Sequence, residues 1–277
     1  MPNKTDDITE DDLVVVTEPR DNVRRLTLNR PQSLNAVNSE LVARLRHELG
    51  DAERDPDCRA IVITGSGRGF CSGLDLSGYG RLPATQGSGQ VHTDLAIQRD
   101  VASVVQQVNR LRKPVIAAVN GPAAGFGLAL ACAADIRIAS STASFTTAFV
   151  RIGVTGCDLG VSWLLPRLIG AGRAHELILT ARSVNAPEAH SIGLLADVVA
   201  LEDLAARVDR TLDDLLRIAP LALDLTKQGM WLALGAPSLD QAIEMENRQQ
   251  ILIAQTRDRQ EGLQSFLERR EPDYWNR

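Results

Sequence analysis

The 277-residue chain predicts an α/β core followed by an all-helical C-terminal portion. Three observations carry this. Short apolar, β-branched runs at 60–64, 114–119 and 136–139 alternate with turns and helical patterns, which implies parallel strands joined by right-handed crossovers. From Leu201 onward only helical periodicity remains. The length is sufficient to bury a large core. These features divide the chain into a flexible N-terminus over 1–12, a core over 13–200 and a helical region over 201–277.

Residues 13–18 and 22–29 read as two strands of a hairpin-like opening, the second running through Val23, Leu26 and Leu28. A polar turn follows at Arg30-Pro31-Gln32-Ser33-Leu34-Asn35, and then helix-spaced Leu41, Leu45 and Leu49. The run 60–64, closed by Gly65-Ser66-Gly67, reads as a buried strand. Residues 77–95 carry Gly, Pro, Ser and Thr with little periodicity and read as a flexible loop or lid. A helix is expected over 97–112, a strand over 114–119, a small-residue helix over 125–134 and a third strand over 136–139. Helices are expected over 203–217, 219–234, 238–256 and 258–270, with Pro220 and Pro237 marking starts.

Composition narrows the function. At 44% hydrophobic and 23% charged, the chain is an ordinary globular protein. A net charge of −5 argues against nucleic acid as the main partner, and 4% aromatic residues make a base-stacking platform a poor reading. Residues 1–12 lack the apolar stretch of a signal peptide, and no apolar run reaches membrane-spanning length. Cys58, Cys71, Cys132 and Cys157 form no C-x-x-C pair, and none of the four histidines lies in a metal-ligand pattern. A cytoplasmic protein with reduced thiols and no metal is expected.

Two backbone stretches carry chemistry: Phe70-Cys71-Ser72-Gly73-Leu74-Asp75, and Asn120-Gly121-Pro122-Ala123-Ala124-Gly125-Phe126-Gly127. Each follows a strand-like run and leads toward a helix, where peptide N–H groups lack intrahelical partners. Facing one another, two such turns aim two N–H groups at one point and hold a carbonyl oxygen that gains negative charge, an oxyanion hole. Each turn alone also reads as a plain strand-to-helix connection.

Read together with Leu28-Asn29-Arg30-Pro31, Asn35-Ala36, the run from Pro114 through Asp135, Leu164-Leu165-Pro166-Arg167 and Glu176 through Arg182, these segments resemble the crotonase superfamily, the enoyl-CoA hydratase/isomerase family. The ordered match spans roughly 13–271. The resemblance implies a crotonase-like spiral of ββα units with a helical C-terminal region used in trimerisation, and homotrimers that often pair into hexamers. It implies an acyl-CoA or enoyl-CoA substrate, with no cofactor beyond the coenzyme A of the thioester itself. It carries the oxyanion donors onto the N–H groups of Leu74 and Phe126. Glycine is usual at the second place; phenylalanine keeps the donor, and its ring is expected to narrow or redirect the acyl pocket. Coenzyme A contacts are implied at Ser33, Leu34 and Ala36 and at Ser72, Asp75 and Leu76. Arg30 is implied as an attractor of phosphate, and Phe266, Arg269 and Arg270 as approaching the nucleotide; for the arginines a solvated basic face is an equal reading.

Hydratases of the family use two glutamates to activate water and deliver a proton. Ala129 and Phe149 stand at those places, and neither exchanges protons. Asp158, eight positions before Pro166, matches the place of a catalytic acid in several isomerases of the family, although one extra residue separates it from Gly153. It reads equally as the N-cap of a helix beginning near Leu159. Asp135 reads as a structural acid and Asp75 as ordering its loop; His92 reads as a surface histidine; Cys71 and Cys157 lack a histidine to activate them. Glu244 and Glu246 read as surface or subunit-contact charges. The expectation is an enzyme of the hydratase/isomerase type: an isomerase, or an atypical hydratase, working through Asp158. The alternative is a catalytically inactive acyl-CoA binding protein. A serine or cysteine hydrolase lacks a positioned nucleophile–base pair.

Overall fold

A six-stranded sheet with strand order β1-β2-β3-β4-β6-β9 organises the fold of the computed structural model, which describes residues 12–82, 85–87 and 89–275. The expected flexible N-terminus lies, but for residue 12, outside the described residues. Strands β1 (Val14–Arg20) and β2 (Val23–Leu28) form the expected antiparallel hairpin. Strands β3 (Ala60–Gly65), β4 (Val115–Val119), β6 (Ile136–Ser140) and β9 (Asp197–Val199) then add in parallel, each after a crossover. A second, three-stranded sheet joins β5 (Ala123–Ala124), β7 (Ser144–Thr146) and β8 (Val184–Asn185).

Strand alternation explains why β3 reads as one apolar run. Ile61 and Ile63 point into the larger core, while Ala60 and Val62 point into a smaller one, so both faces are covered. The larger core holds α1 (Ser39–Arg54), α2 (Gln90–Arg110) and α3 (Phe126–Ala133). Helix α1 is capped by Asn38, whose side chain accepts from the Leu41 amide, and it buries Leu41, Leu45 and Leu49. Helix α3 is buried along its whole length, as its run of apolar small residues requires. The smaller core is closed by α7 (Leu204–Leu216) through Leu204, Val208 and Leu212.

Between the sheets and the tail run α4 (Val161–Ile169), α5 (Ala171–Thr180) and α6 (Ala186–Ser191). The tail continues with α8 (Pro220–Ala233), α9 (Leu239–Ala254) and α10 (Arg257–Glu268). Pro220 occupies the first helical position of α8, where a missing N–H costs nothing, and Ser238 and Thr256 cap α9 and α10.

One expected loop is shorter than its composition suggests. Helix α2 begins at Gln90, so the last part of the segment 77–95 is helical. Within 90–95 only Val91 and Leu95 are large and apolar, and both remain exposed, so this turn has no buried stripe for a periodicity test to find.

Candidate functional site

The two glycine turns meet. Cys71 and Ala123 form a parallel bridge, in which the Phe70 and Cys71 amides donate to Pro122 O, each at 3.1 Å, and the Ala124 amide donates to Cys71 O at 2.9 Å. Gly73 and Gly125 then lie face to face: a Cβ built on Gly125 would stand 3.7 Å from the Gly73 Cα. Both have positive φ, 109° and 51°, which a side chain would strain.

Peptide geometry directs the Leu74 amide. Val37 bridges Leu74 in parallel, its amide donating to Gly73 O at 2.8 Å, while the Asp75 amide donates to Val37 O at 2.9 Å. Because the Gly73–Leu74 peptide is trans and its carbonyl faces Val37, the Leu74 N–H faces the opposite way. Phe126 opens α3, so its N–H has no intrahelical acceptor. Among the described residues neither amide has an internal acceptor.

The Phe126 ring departs from expectation. The residue is 1% exposed and belongs to the larger core, so its ring packs inward and leaves only the backbone to the turn. The aromatic beside the turn is Phe149, whose Cε1 would stand 3.6 Å from a Cβ on Gly125. Ala129, one helical turn beyond Phe126, is wholly buried. Apolar groups therefore stand at both places where the resemblance implies glutamates.

Asp158 lies half-buried in the loop before α4. Its Oδ1 accepts from the Leu159 amide at 2.7 Å and from Gln98 Nε2 of α2. Burial raises its pKa above the usual carboxylate value, against the lowering effect of these two donors. It is not the helix cap: α4 begins at Val161, Gly160 is its N-cap, and no side chain caps it. Leu159 and Gly160 both have positive φ, which delays the helix by two residues.

The segments expected to touch coenzyme A come together in part. Ser72 Oγ donates to Ser33 O at 3.0 Å and its amide to Leu34 O at 2.9 Å, so 33–36 and 72–76 form one surface with Leu76 exposed. Arg30 is not a free cation. Its Nη2 donates to Asp75 Oδ2 at 2.8 Å and its Nη1 to Ala36 O at 2.5 Å. Asp75 Oδ1 also accepts from Ser77 Oγ at 2.6 Å and the Ser77 amide at 3.0 Å. The Ser77 hydroxyl and Arg30 hold its pKa down at about 2. Phe266 belongs to α10 and Arg269 is its left-handed C-cap; Phe266 is exposed and borders a cavity of about 380 Å³ between α8 and α10. Arg270 is paired with Glu261 and Glu268.

Other candidates resolve simply. Burial pushes the Cys71 thiol up to about 12, which removes it as a nucleophile. Asp135 is structural: its Oδ2 accepts from the Val115 amide at 2.8 Å and pairs with Lys227 Nζ at 2.7 Å. Among the described residues one group has metal-ligand spacing, His47, Glu48 and Asp51 on α1, and its carboxylates are paired with Arg44 and Arg54.

Sequence reasoning missed Asn35 and Asn120. Both are buried, and their side-chain amides donate to Gly69 O, at 2.8 and 3.2 Å, holding the loop that delivers the first turn. The signal available for Asn120 was a polar residue at the end of an apolar strand, where a buried amide must find partners; Asn35 lies in the turn after β2, where residue type alone gives no such signal.

The chain is similar to known proteins over nearly its whole length. Residues 18–277 match the family model for enoyl-CoA hydratase/isomerase. The chain is 38% identical over 261 residues to a probable enoyl-CoA hydratase, echA12, of Mycobacterium bovis, covering 94% of this chain and 92% of the relative. It is 37% identical over 252 residues to the 1,2-epoxyphenylacetyl-CoA isomerase of Escherichia coli, covering 91% and 94%. The crystal structure of a probable enoyl-CoA hydratase/isomerase from Mycobacterium abscessus superposes with a TM-score of 0.90 at 36% identity, over 96% of this chain and all of that one.

Proposed function

Because the chain belongs to the enoyl-CoA hydratase/isomerase family, we propose that it moves a double bond within an enoyl-CoA thioester, using the Leu74 and Phe126 amides as oxyanion donors and Asp158 as the proton carrier. The observation that carries this reading is the pair of amides without internal acceptors, on turns whose glycines touch. Asp158 takes a proton from the α-carbon of a 3-enoyl thioester. The electron pair delocalises onto the thioester oxygen, which the two amides stabilise, and the same proton returns at the γ-carbon. The product is the 2-enoyl thioester, and no co-reactant is consumed.

Hydration through a glutamate pair is disfavoured because Ala129 and Phe149 offer no proton-exchanging group. The Escherichia coli relative is named as an isomerase of an epoxyphenylacetyl-CoA, so acyl-CoA isomerases stand among relatives of this similarity. A raised pKa suits Asp158 to both halves of the transfer, since its two protonation states then lie closer in energy at neutral pH.

A second proposal concerns assembly. Helices α8 to α10 carry exposed Met230, Leu232, Leu239, Ile251 and Phe266, apolar side chains that a subunit contact would cover, and we assign this surface to a trimer or a dimer of trimers.

The test is a panel of 2-enoyl- and 3-enoyl-CoA thioesters with products resolved by chromatography. Interconversion of the two is expected, with Asp158→Asn slower by about 10²- to 10⁴-fold, the usual contribution of a general acid–base. Unchanged turnover in Asp158→Asn removes that residue from the mechanism. Tight thioester binding with no turnover of any substrate identifies the protein as an acyl-CoA binder instead.

A further inference from the structure

We propose that the Arg30–Asp75 ion pair is a positioning latch for the Leu74 amide, acting on the rate of enolate formation and not on coenzyme A recognition. It deepens the reading of Leu74 as an oxyanion donor and rests on that reading. The Val37–Leu74 bridge holds the Leu74 peptide in place. Only two backbone hydrogen bonds define it, Val37 N to Gly73 O and Asp75 N to Val37 O. Ser72 ties the same segments together before Gly73, through its amide to Leu34 O and its hydroxyl to Ser33 O, but past Gly73 the bridge is a weak hold for a group that must stay aimed within about 0.5 Å. Gly73, with φ of 109°, adds freedom at that point.

Arg30 spans this bridge. One guanidinium nitrogen takes the carbonyl of Ala36, the residue before Val37, and another takes the carboxylate of Asp75, the residue after Leu74. The guanidinium therefore ties the two segments together across the bridge. Its fixed, planar donor array suits the task better than a point charge would. Both partners are themselves anchored. The Arg30 amide donates to Asn35 Oδ1 at 2.8 Å, and its carbonyl accepts from the Asn35 amide at 2.9 Å. Asn35 is wholly buried and donates to Gly69 O and Phe70 O. Asp75 Oδ1 is occupied by Ser77, which leaves Oδ2 directed at Arg30. The side chains of the pair are 23% and 13% exposed, so solvent screens it only in part.

Two measurements on Arg30→Gln, Asp75→Asn and the double variant test the latch. The first is hydrogen–deuterium exchange of the 72–77 segment without substrate, where faster exchange is expected in all three. The second compares kcat and KM on an enoyl-CoA and on the same acyl group carried by N-acetylcysteamine, which lacks the nucleotide. A fall in kcat of about 10²-fold is expected on both thioesters, the size of effect a small misplacement produces. KM should stay within about twofold, and the double variant should be no worse than either single one, as for residues acting as a unit. Arg30→Lys should recover part of the loss. Where Arg30→Gln lowers global stability, Asp75→Asn supplies the same readings with a near-isosteric change. Unchanged exchange overturns the latch alone and leaves Leu74 as donor standing. Faster exchange with kcat untouched overturns the latch together with Leu74. A loss confined to KM for the coenzyme A thioester makes Arg30 a phosphate contact and overturns the proposal.

Discussion

At residue 126 the backbone and the side chain do separate work. The amide at the start of α3 is oriented by the helix, and the ring, 1% exposed, fills core volume on the other side. Replacing the family's usual glycine thus leaves the turn intact. Asp158 shows the opposite coupling, since its surroundings change its chemistry. Its pKa in the folded chain is raised, chiefly by burial, above the value of about 3.9 expected unfolded. The folded state therefore binds this proton more tightly than the unfolded state does. The resulting stability is complete below the unfolded pKa and is lost as pH rises through the folded one. Asp158→Asn is accordingly expected to melt above the wild type at pH 7 and level with it near pH 4, measured by thermal scans across that range. In kcat/KM the acid limb should lie above the ordinary carboxylate range and disappear in the same variant.

Among the secondary elements, α3 depends on a residue from the strand that follows it. Arg137 of β6 is 8% exposed; its Nη1 donates to Ala134 O at 2.6 Å and to Ala131 O at 3.4 Å, and its Nε donates to Leu194 O at 2.8 Å. A guanidinium at the C-terminus of a helix satisfies carbonyls that the helix leaves open and complements its dipole. Here it also steadies the helix whose first residue is Phe126. Arg137→Met, similar in length and uncharged, leaves buried carbonyls unpaired. It is expected to cost about 3 kcal/mol, read as a fall in the urea midpoint at unchanged m-value.

For the whole molecule, a buried junction ties α8 to the core. Lys227 of α8, 4% exposed, pairs with Asp135, just before β6, and donates to Lys113 O at 2.9 Å, just before β4. Trp231, one turn further, stacks on Trp163 of α4 with ring centroids 5.9 Å apart, and the Arg167 guanidinium lies 3.9 Å over Trp163. Among the described residues no helix is long and apolar enough to cross a membrane. Light scattering is expected to report three or six times the 30.0 kDa chain mass. The pair Leu232→Glu and Leu239→Glu, both at exposed positions, should move it toward the single chain. A monomeric wild type would remove the assembly proposal.

Strand periodicity, helix starts and the two glycine turns were legible in the chain because each is a local property. Apolar alternation, a prolyl φ and a missing Cβ act within a few residues. The parallel core, the tail helices from 204 and the turns at 73 and 125 are therefore where residue types alone place them. The family resemblance added the ββα spiral and the two donor positions. Neither route could decide what depends on contacts across tens of residues. Arg30 reads as a surface cation until Asp75, 45 positions away, is seen to hold it. Phe126 reads as a pocket wall until the ring is seen to pack inward, and Asp158 as a helix cap until two left-handed residues delay the helix. The tertiary structure decided these because a charge, a ring or a carboxylate acquires its role from whichever partner the fold brings within hydrogen-bond or van der Waals reach.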